Sequence, residues 1–210
     1  MAYAVKEIFY TLQGEGVHSG RAAVFCRFAG CNLWNGRESD RATSICTFCD
    51  TDFVGTDGEG GGKFASASDL ADAVADFWPK HDTGLRFVVC TGGEPLLQVN
   101  SDLITALHER HFEIAIETNG TIAVPKGIDW VCVSPKSGSK LVVTTGDELK
   151  VVYPQPIDPT VYESLAFRHF FIQPKDGADA KDSLAAAISF CGLNPRWRLS
   201  LQTHKLIGIR

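Results

Sequence analysis

Short apolar runs alternate with amphipathic stretches along most of this chain, and this alternation limits its fold more than any other feature. The apolar runs are typical of buried strands, whereas the longer stretches repeat apolar residues at the i, i+3, i+4 spacing of a helix. The predicted strands are Ala22–Phe28, Leu85–Cys90, Phe112–Ile116, Trp130–Val133, Leu149–Tyr153, His169–Ile172 and Arg198–Leu201. The predicted helices are Asp69–Trp78, Ser101–Arg110 and Asp179–Cys191. This order predicts an α/β fold with a mostly parallel sheet covered by helices.

Length and strand number bound the architecture further. The chain has 210 residues and shows no internal repeat or linker, so we predict one domain over residues 1–210. A closed eightfold barrel typically needs about 250 residues. Six or seven strands therefore predict a partial, incomplete TIM-like barrel. Ser68, and Asn100 or Ser101, are the expected caps of the first two helices, with Pro79 as the stop of the first.

Nearly every predicted strand ends in polar or glycine residues. Turns are often polar, but the carboxyl ends of parallel strands gather on one edge of a sheet, where ligands bind. Five such ends together favour a shared site. The segments are Thr91–Glu94, Glu117–Asn119, Ser134–Lys136, Gln173–Lys175 and Gln202–His204.

Composition excludes several classes of protein. The net charge of −5 argues against a nucleic-acid binder, which usually has a basic face. No apolar run approaches the roughly 18 residues of a membrane span. The first ten residues contain Lys6 and Glu7 and lack the apolar core of a signal peptide. We therefore expect a cytoplasmic protein whose seven cysteines are reduced, some of them with a metal role.

Three cysteines converge in a long polar segment, residues 31–52, in the spacing Cys31-x14-Cys46-x2-Cys49. A long irregular segment inside a compact domain is usually functional or disordered, and the cysteines favour function. Structural zinc and ferredoxin-type clusters normally take four protein ligands, so three thiolates would leave one iron open. A zinc site completed by His18 or Cys26 is the alternative. The glycine-rich residues 55–63 are expected to form a flexible loop.

Two motifs resemble the radical S-adenosylmethionine (SAM) superfamily. Cys46-Thr47-Phe48-Cys49 resembles the end of its cluster motif, and Thr91-Gly92-Gly93-Glu94-Pro95 resembles its GGEP segment. The x14 spacing departs from the usual x3 and is similar to a variant found in some 7-carboxy-7-deazaguanine synthases of the queuosine pathway. Further segments that look like this family are Thr11–Gly16, Phe25–Leu33, Cys49–Thr51, Glu117–Gly120, Ser134–Lys136 and Gln173-Pro174.

The resemblance implies a [4Fe–4S] cluster on Cys31, Cys46 and Cys49, with SAM chelated at the open iron. It implies a radical SAM lyase that contracts the ring of 6-carboxy-5,6,7,8-tetrahydropterin with loss of ammonia. Candidate SAM-binding residues are Phe48, Cys49, Asp50, Gly92, Gly93, Glu94, Ser134, Pro135, Lys136 and Gln173. Candidate substrate-binding residues are Leu12, Gln13, Gly14, Glu15, Arg27, Thr91, His204 and Arg210.

Further partners also follow from the resemblance. Thr51 matches the position that binds Mg²⁺ in the family, and one hydroxyl needs substrate oxygens or waters to complete the shell. Arg27 offers the two-pronged partner that a substrate carboxylate would need. A flavodoxin-type electron donor and a homodimer are expected.

Two other functions remain open from the sequence. One is a radical SAM activase that makes a glycyl radical on a protein partner, which would need a groove for a peptide. The other is a zinc or iron–sulfur binding module without catalysis. That second alternative leaves the GGEP segment and the polar strand ends unexplained.

Overall fold

The computed structural model describes residues 2–81 and 84–210, so Met1 of the predicted domain lies outside it. Within these residues the chain forms nine strands and four α-helices. The strands are β1 (Tyr3–Leu12), β2 (Ala22–Phe28), β3 (Gly62–Phe64), β4 (Arg86–Gly92), β5 (Phe112–Thr118), β6 (Trp130–Val133), β7 (Thr145–Tyr153), β8 (Ala166–Pro174) and β9 (Trp197–Leu199). The helices are α1 (Ala67–Asp76), α2 (Ser101–His108), α3 (Ala180–Leu193) and α4 (Thr203–Ile207). None of the described helices is long and apolar enough to cross a membrane.

All nine strands belong to one sheet in the order β3-β1-β2-β4-β5-β6-β7-β8-β9. Pairing is parallel from β2 through to β9, whereas β1 is antiparallel to both of its neighbours. The short strands β3 and β9 are the two ends, and within the described residues they do not pair with each other. The predicted mostly parallel, incomplete barrel is therefore confirmed.

The two faces of the sheet carry different side chains because neighbouring residues of a strand point to opposite faces. On β7, Leu149 and Val151 are fully buried in the hydrophobic core, and Lys150 and Val152 line a cavity on the other face. The core packs against helices α1, α2 and α3, and Leu70 of α1 is fully buried. The helices thus cover the apolar face and leave the other face for a site.

The helix caps correct one prediction. Helix α1 begins two residues earlier than expected, and Ser66 caps it in place of Ser68. Ser66 Oγ accepts from the Asp69 backbone N–H at 3.1 Å, while the Asp69 carboxylate accepts from the Ser66 N–H at 3.0 Å. This reciprocal pair satisfies two N–H groups that a cap at Ser68 would leave open. The expected cap Asn100 is confirmed on α2.

Two strands and one helix were missing from the sequence prediction, and six or seven strands was too low a count. Strand β1 lies in a segment that we had considered only as a possible signal peptide. Strand β3 is three residues long and begins at the end of the glycine-rich loop. Residues 31–52 are not wholly irregular, because Glu38–Thr43 form a 3₁₀ helix.

Candidate active site

A cavity of about 400 Å³ opens at the carboxyl ends of the parallel strands. Residues from all five polar strand ends line it, so the structure brings together the segments for which the sequence predicts a shared site. These lining residues are Thr91, Gly92, Gly93, Glu117, Thr118, Asn119, Ser134, Lys136, Gln173, Pro174, Lys175, Gln202 and His204.

The three cysteines of the cluster-like motif line the same cavity. Cys31 follows β2, and Cys46 and Cys49 lie in the loop that precedes β3. Burial raises the pKa of the Cys31 and Cys49 thiols, and neighbouring cysteines add to the rise. Thiols held together in this way would be stabilised as thiolates by a bound metal.

The arrangement fits a cluster better than a single zinc ion. In the described part of the chain, no three histidine, cysteine, aspartate or glutamate side chains converge closely enough to hold one ion. In a [4Fe–4S] cluster each cysteine would bind a different iron, so three protein thiols at one cavity suit it. The expected fourth zinc ligands are elsewhere: Cys26 is buried in the core, and His18 packs against Phe87 and Trp130.

The glycines of the GGEP segment bring β4 against the end of β2. The Gly93 N–H donates to Phe28 O at 3.3 Å, and the Glu94 N–H donates to Gly30 O at 2.9 Å. A Cβ on Gly93 would overlap the Gly30 carbonyl oxygen. This close approach of Gly93 to Gly30 therefore fixes the backbone just before Cys31. Only glycine permits the approach, because a side chain at residue 93 would overlap the Gly30 carbonyl.

Glu94 lies behind the cavity wall. Its side chain is fully buried and accepts from the Leu96 N–H, the Thr118 hydroxyl and the Asn119 N–H at 2.8–3.0 Å. Burial raises the pKa of Glu94, although these hydrogen bonds oppose the rise. In this conformation Glu94 holds the end of β5, and its contact with SAM stays a prediction.

A network of buried charges forms the floor of the cavity. The Lys150 ammonium pairs with Glu15 and lies 3.6 Å from a Glu117 oxygen. Gln173 and Gln202 each donate to Glu15 at 3.0 Å. Burial alone would raise the pKa of Glu15, but Lys150 outweighs it and holds that pKa below its usual range. Burial would lower the pKa of Lys150, yet Glu117 and Glu15 raise it well above its usual range.

Neighbouring side chains fix the second carboxylate. Gln13 Nε2 donates to Glu117 Oε1 and Thr91 Oγ1 donates to Glu117 Oε2, both at 3.1 Å. The floor thus presents two carboxylates, each with one or more amide or hydroxyl donors. Such a surface can accept several N–H groups from a flat polar heterocycle.

Two arginines meet on one carboxylate at another part of the wall. Glu7 accepts from Arg27 Nε at 2.8 Å and from Arg210 Nη2 at 2.5 Å. The Arg210 guanidinium also stacks 4.7 Å from the centroid of the Phe9 ring. Because Glu7 engages Arg27 through Nε, the terminal nitrogens of Arg27 remain for a bidentate anion partner.

A partly buried lysine closes the side of the cavity next to the cysteine loop. Lys136 Nζ donates to Ser134 Oγ at 2.6 Å and lies 5.8 Å from the Phe48 ring centroid. Burial lowers the pKa of Lys136, and Cys46 and Cys49 oppose that shift.

The residues after Cys49 are tied to the C-terminal helix. Asp50 pairs with Lys205 at 2.7 Å. Although burial alone would raise the pKa of Asp50, that pairing lowers it. The Thr51 hydroxyl lies 3.5 Å from an Asp50 oxygen and lines the cavity.

Most sequence-predicted site residues line this one cavity, and only Glu94 and Pro135 do not. Those that do are Leu12, Gln13, Gly14, Glu15, Arg27, Cys31, Cys46, Phe48, Cys49, Asp50, Thr51, Thr91, Gly92, Gly93, Ser134, Lys136, Gln173, His204 and Arg210. Sequence reasoning missed Lys150 as a site residue, and it placed Glu117 and Gln202 at the shared strand-end site without assigning either to SAM or to substrate. Lys150 had a signal, because a lysine between Leu149 and Val151 in an apolar strand points to the opposite face.

No protein-family model matches the chain. It is 62% identical to a 7-carboxy-7-deazaguanine synthase of Bradyrhizobium diazoefficiens and 61% identical to one of Bordetella pertussis, with 100% of each chain covered. The crystal structure of QueE from Escherichia coli matches with a TM-score of 0.69 at 29% identity, covering 96% of this chain and 94% of that one. With this similarity over its whole length, the chain belongs to the 7-carboxy-7-deazaguanine synthase family.

Proposed function

We propose that this chain is a radical SAM lyase that converts 6-carboxy-5,6,7,8-tetrahydropterin into 7-carboxy-7-deazaguanine with loss of ammonia. The observation that carries the proposal is the composition of one cavity. It joins Cys31, Cys46 and Cys49 to the partly buried carboxylates Glu15 and Glu117. The same family membership supports a [4Fe–4S] cluster and SAM as cofactors.

On the cofactor side, the three cysteines would hold the cluster. Phe48, Ser134 and Lys136 line the cavity beside them and would bind SAM. When bound, the cluster and SAM would supply the one-electron chemistry that starts a radical reaction at C6 of the substrate. The chain itself must hold both molecules in one pose and exclude water.

On the substrate side, charged side chains of the cavity would position the pterin. Glu15 and Glu117 accept N–H groups of the ring, and the Lys150 ammonium offsets the negative charge of the two carboxylates. The two terminal nitrogens of Arg27 donate a bidentate pair of hydrogen bonds to the substrate carboxylate. His204 and Arg210, on the C-terminal segment, close over the ligand.

The finer partners rest on resemblance and on position. Mg²⁺ would bind at Thr51, with Asp50 and Asp52 as outer partners and substrate oxygens in the shell. A flavodoxin-type protein would supply the electron, and the enzyme would work as a homodimer in the cytoplasm.

Anaerobic reconstitution with iron and sulfide tests the proposal. The protein should turn brown, cleave SAM when reduced, and turn over the tetrahydropterin without a protein partner. Cys31→Ala, Cys46→Ala and Cys49→Ala should each remove cluster and activity, whereas Cys191→Ala should change neither. Tetrathiolate zinc would favour the binding module, and turnover that needs a protein partner would favour the activase.

The magnesium assignment has its own test. Thr51→Ala should leave the cluster absorbance intact and raise the Mg²⁺ concentration for half-maximal activity about tenfold, since one hard oxygen ligand is lost. Thr47→Ala, in the same loop, serves as the control. An unchanged Mg²⁺ response in Thr51→Ala would assign the metal elsewhere.

A further inference from the structure

The segment that carries the three cysteines, residues 31–53, builds a small hydrophobic core of its own. Its buried members are Leu33, Trp34, Cys46 and Phe53, with Cys31, Phe48 and Cys49 packed against them. Trp34 meets Phe53 edge to face, with ring centroids 5.5 Å apart. Cys46 is therefore a member of this core, and its packing also fixes the positions of Cys31 and Cys49.

Arg41, on the 3₁₀ helix of this segment, reaches back to the last cysteine. Its Nη1 donates to Cys49 O at 3.1 Å and to Thr47 O at 3.4 Å. Its Nε donates to the Glu38 carboxylate at 2.8 Å, and its Cζ lies 4.0 Å from the centroid of the Trp34 ring. One side chain thus ties together residues 34, 38, 47 and 49.

The environment makes these contacts strong. The Arg41 side chain is 26% exposed, so most of it is shielded from water, whereas Glu38 is 77% exposed and screened by solvent. A guanidinium can stack on an indole and donate to two carbonyls at once, because it is flat and has five N–H donors. A lysine ammonium could keep the charge but could not make this set of contacts.

We propose that Arg41 is a positioning residue for the cluster, which fixes the backbone at Cys49 and places a positive charge beside the cluster site. The inference rests on the proposed function only in that the three cysteines must hold a cluster. Outer-shell hydrogen bonds and nearby charge both tune iron–sulfur centres. Loss of the hydrogen bonds that the Arg41 guanidinium donates should make the cluster dissociate faster. Loss of its positive charge should make reduction of the cluster harder.

The test compares Arg41→Gln and Arg41→Lys with wild type and with Arg37→Gln. Arg37 lies in the same segment and joins its hydrogen bonds through backbone atoms. Each protein is reconstituted without air, and two quantities are measured. One is the rate at which a chelator bleaches the cluster absorbance. The other is the midpoint potential from a titration followed by electron paramagnetic resonance.

Arg41→Gln should lose its cluster about tenfold faster than wild type and have a lower potential. Arg41→Lys should also lose it faster but keep a potential near the wild-type value, and Arg37→Gln should match wild type in both. If Arg41→Gln does not fold, Arg41→Lys alone decides through its faster bleaching at unchanged potential. Equal rates and potentials in all variants would overturn the inference and leave the proposed function standing. A wild-type protein that takes up no cluster would overturn both.

Discussion

Lys150 is a fully charged group with only 6% of its side chain exposed. An unpaired buried ammonium would cost several kcal/mol, so the ion pairs with Glu15 and Glu117 are what allow it there. The dependence runs in both directions, because without Lys150 two buried carboxylates would be left close together. The floor of the site is thus a unit in which each charge requires the others.

Lys150→Met should lower the free energy of unfolding by about 3 kcal/mol at pH 7, since it leaves the partly buried carboxylates of Glu15 and Glu117 without their cation. The folded-state pKa of Glu15 is lowered, so its stabilising contribution is present above about pH 4.3, its unfolded value, and is lost as pH falls through the folded value. In the variant, burial raises that pKa instead, and protonation relieves the strain.

The stability difference between wild type and Lys150→Met should therefore shrink from pH 7 towards pH 4. Urea unfolding across this range measures it. Lys63→Met is the control, because Lys63 is an exposed residue of β3. A difference that stays constant with pH would show that the charge pairing does not hold Glu15 ionised.

Arg27→Lys tests the two-pronged substrate contact. The variant keeps the charge but loses the fork, so the KM for the pterin should rise about tenfold, equivalent to about 1.4 kcal/mol, with a smaller change in kcat. Arg21→Lys is the matched control, because Arg21 also engages a carboxylate with two nitrogens, that of Glu113, away from the cavity. An equal effect of both substitutions on KM would argue against a substrate role for Arg27.

At the scale of elements, the end of β4 positions the start of the cysteine loop. The Gly93 N–H donates to the carbonyl of Phe28, and the Glu94 N–H donates to the carbonyl of Gly30, the residue before Cys31. Strand pairing between β2 and β4 is therefore continued by loop contacts past the ends of both strands. In the sequence, the glycines of the GGEP segment indicate close approach of a ligand. In the structure, they also hold the end of β4 against the end of β2.

Gly93→Ala should produce a folded protein with a low cluster content after reconstitution. The added methyl group overlaps Gly30 O, so the chain at Cys31 must shift. Gly192→Ala in α3 is the control, since a Cβ there meets nothing within 4 Å. Iron per chain and far-UV circular dichroism measure the two effects. Full iron content in Gly93→Ala would show that the contact between Gly93 and Gly30 does not position Cys31.

Periodic patterns predicted the central strands and the three long helices, because burial on one face leaves a clear repeat in the sequence. The outer parts were harder. Strand β1 pairs with β2 and β3 through backbone hydrogen bonds set by tertiary contacts, and its own sequence mixes Lys6 and Glu7 into the apolar run. Side-chain partners such as Gln202 with Glu15 join residues 187 positions apart, which local patterns do not reveal.

At the scale of the whole molecule, the C-terminal segment crosses from one end of the sheet to the other. Thr203, after β9, donates its N–H to Gly14 O at 2.9 Å, beyond the end of β1. Lys205 joins Asp50 of the cysteine loop to Asp176 after β8. Arg210 reaches Glu7 on β1. Backbone and side-chain contacts of the C-terminal segment thus span the gap between the sheet edges, and they lie over the cavity.

The double variant Lys205→Gln/Arg210→Gln should release this bridge and admit water to the site. We expect a higher KM for the pterin and more 5′-deoxyadenosine per molecule of product, because a hydrogen atom taken from a C–H bond of a buffer molecule that enters the site would end the cycle early. Chromatography of both products after anaerobic turnover measures the ratio. Arg196→Gln, whose guanidinium stacks on Phe170 outside the cavity wall, is the control. If the ratio stays at the wild-type value while KM rises, the segment binds substrate but does not seal the site.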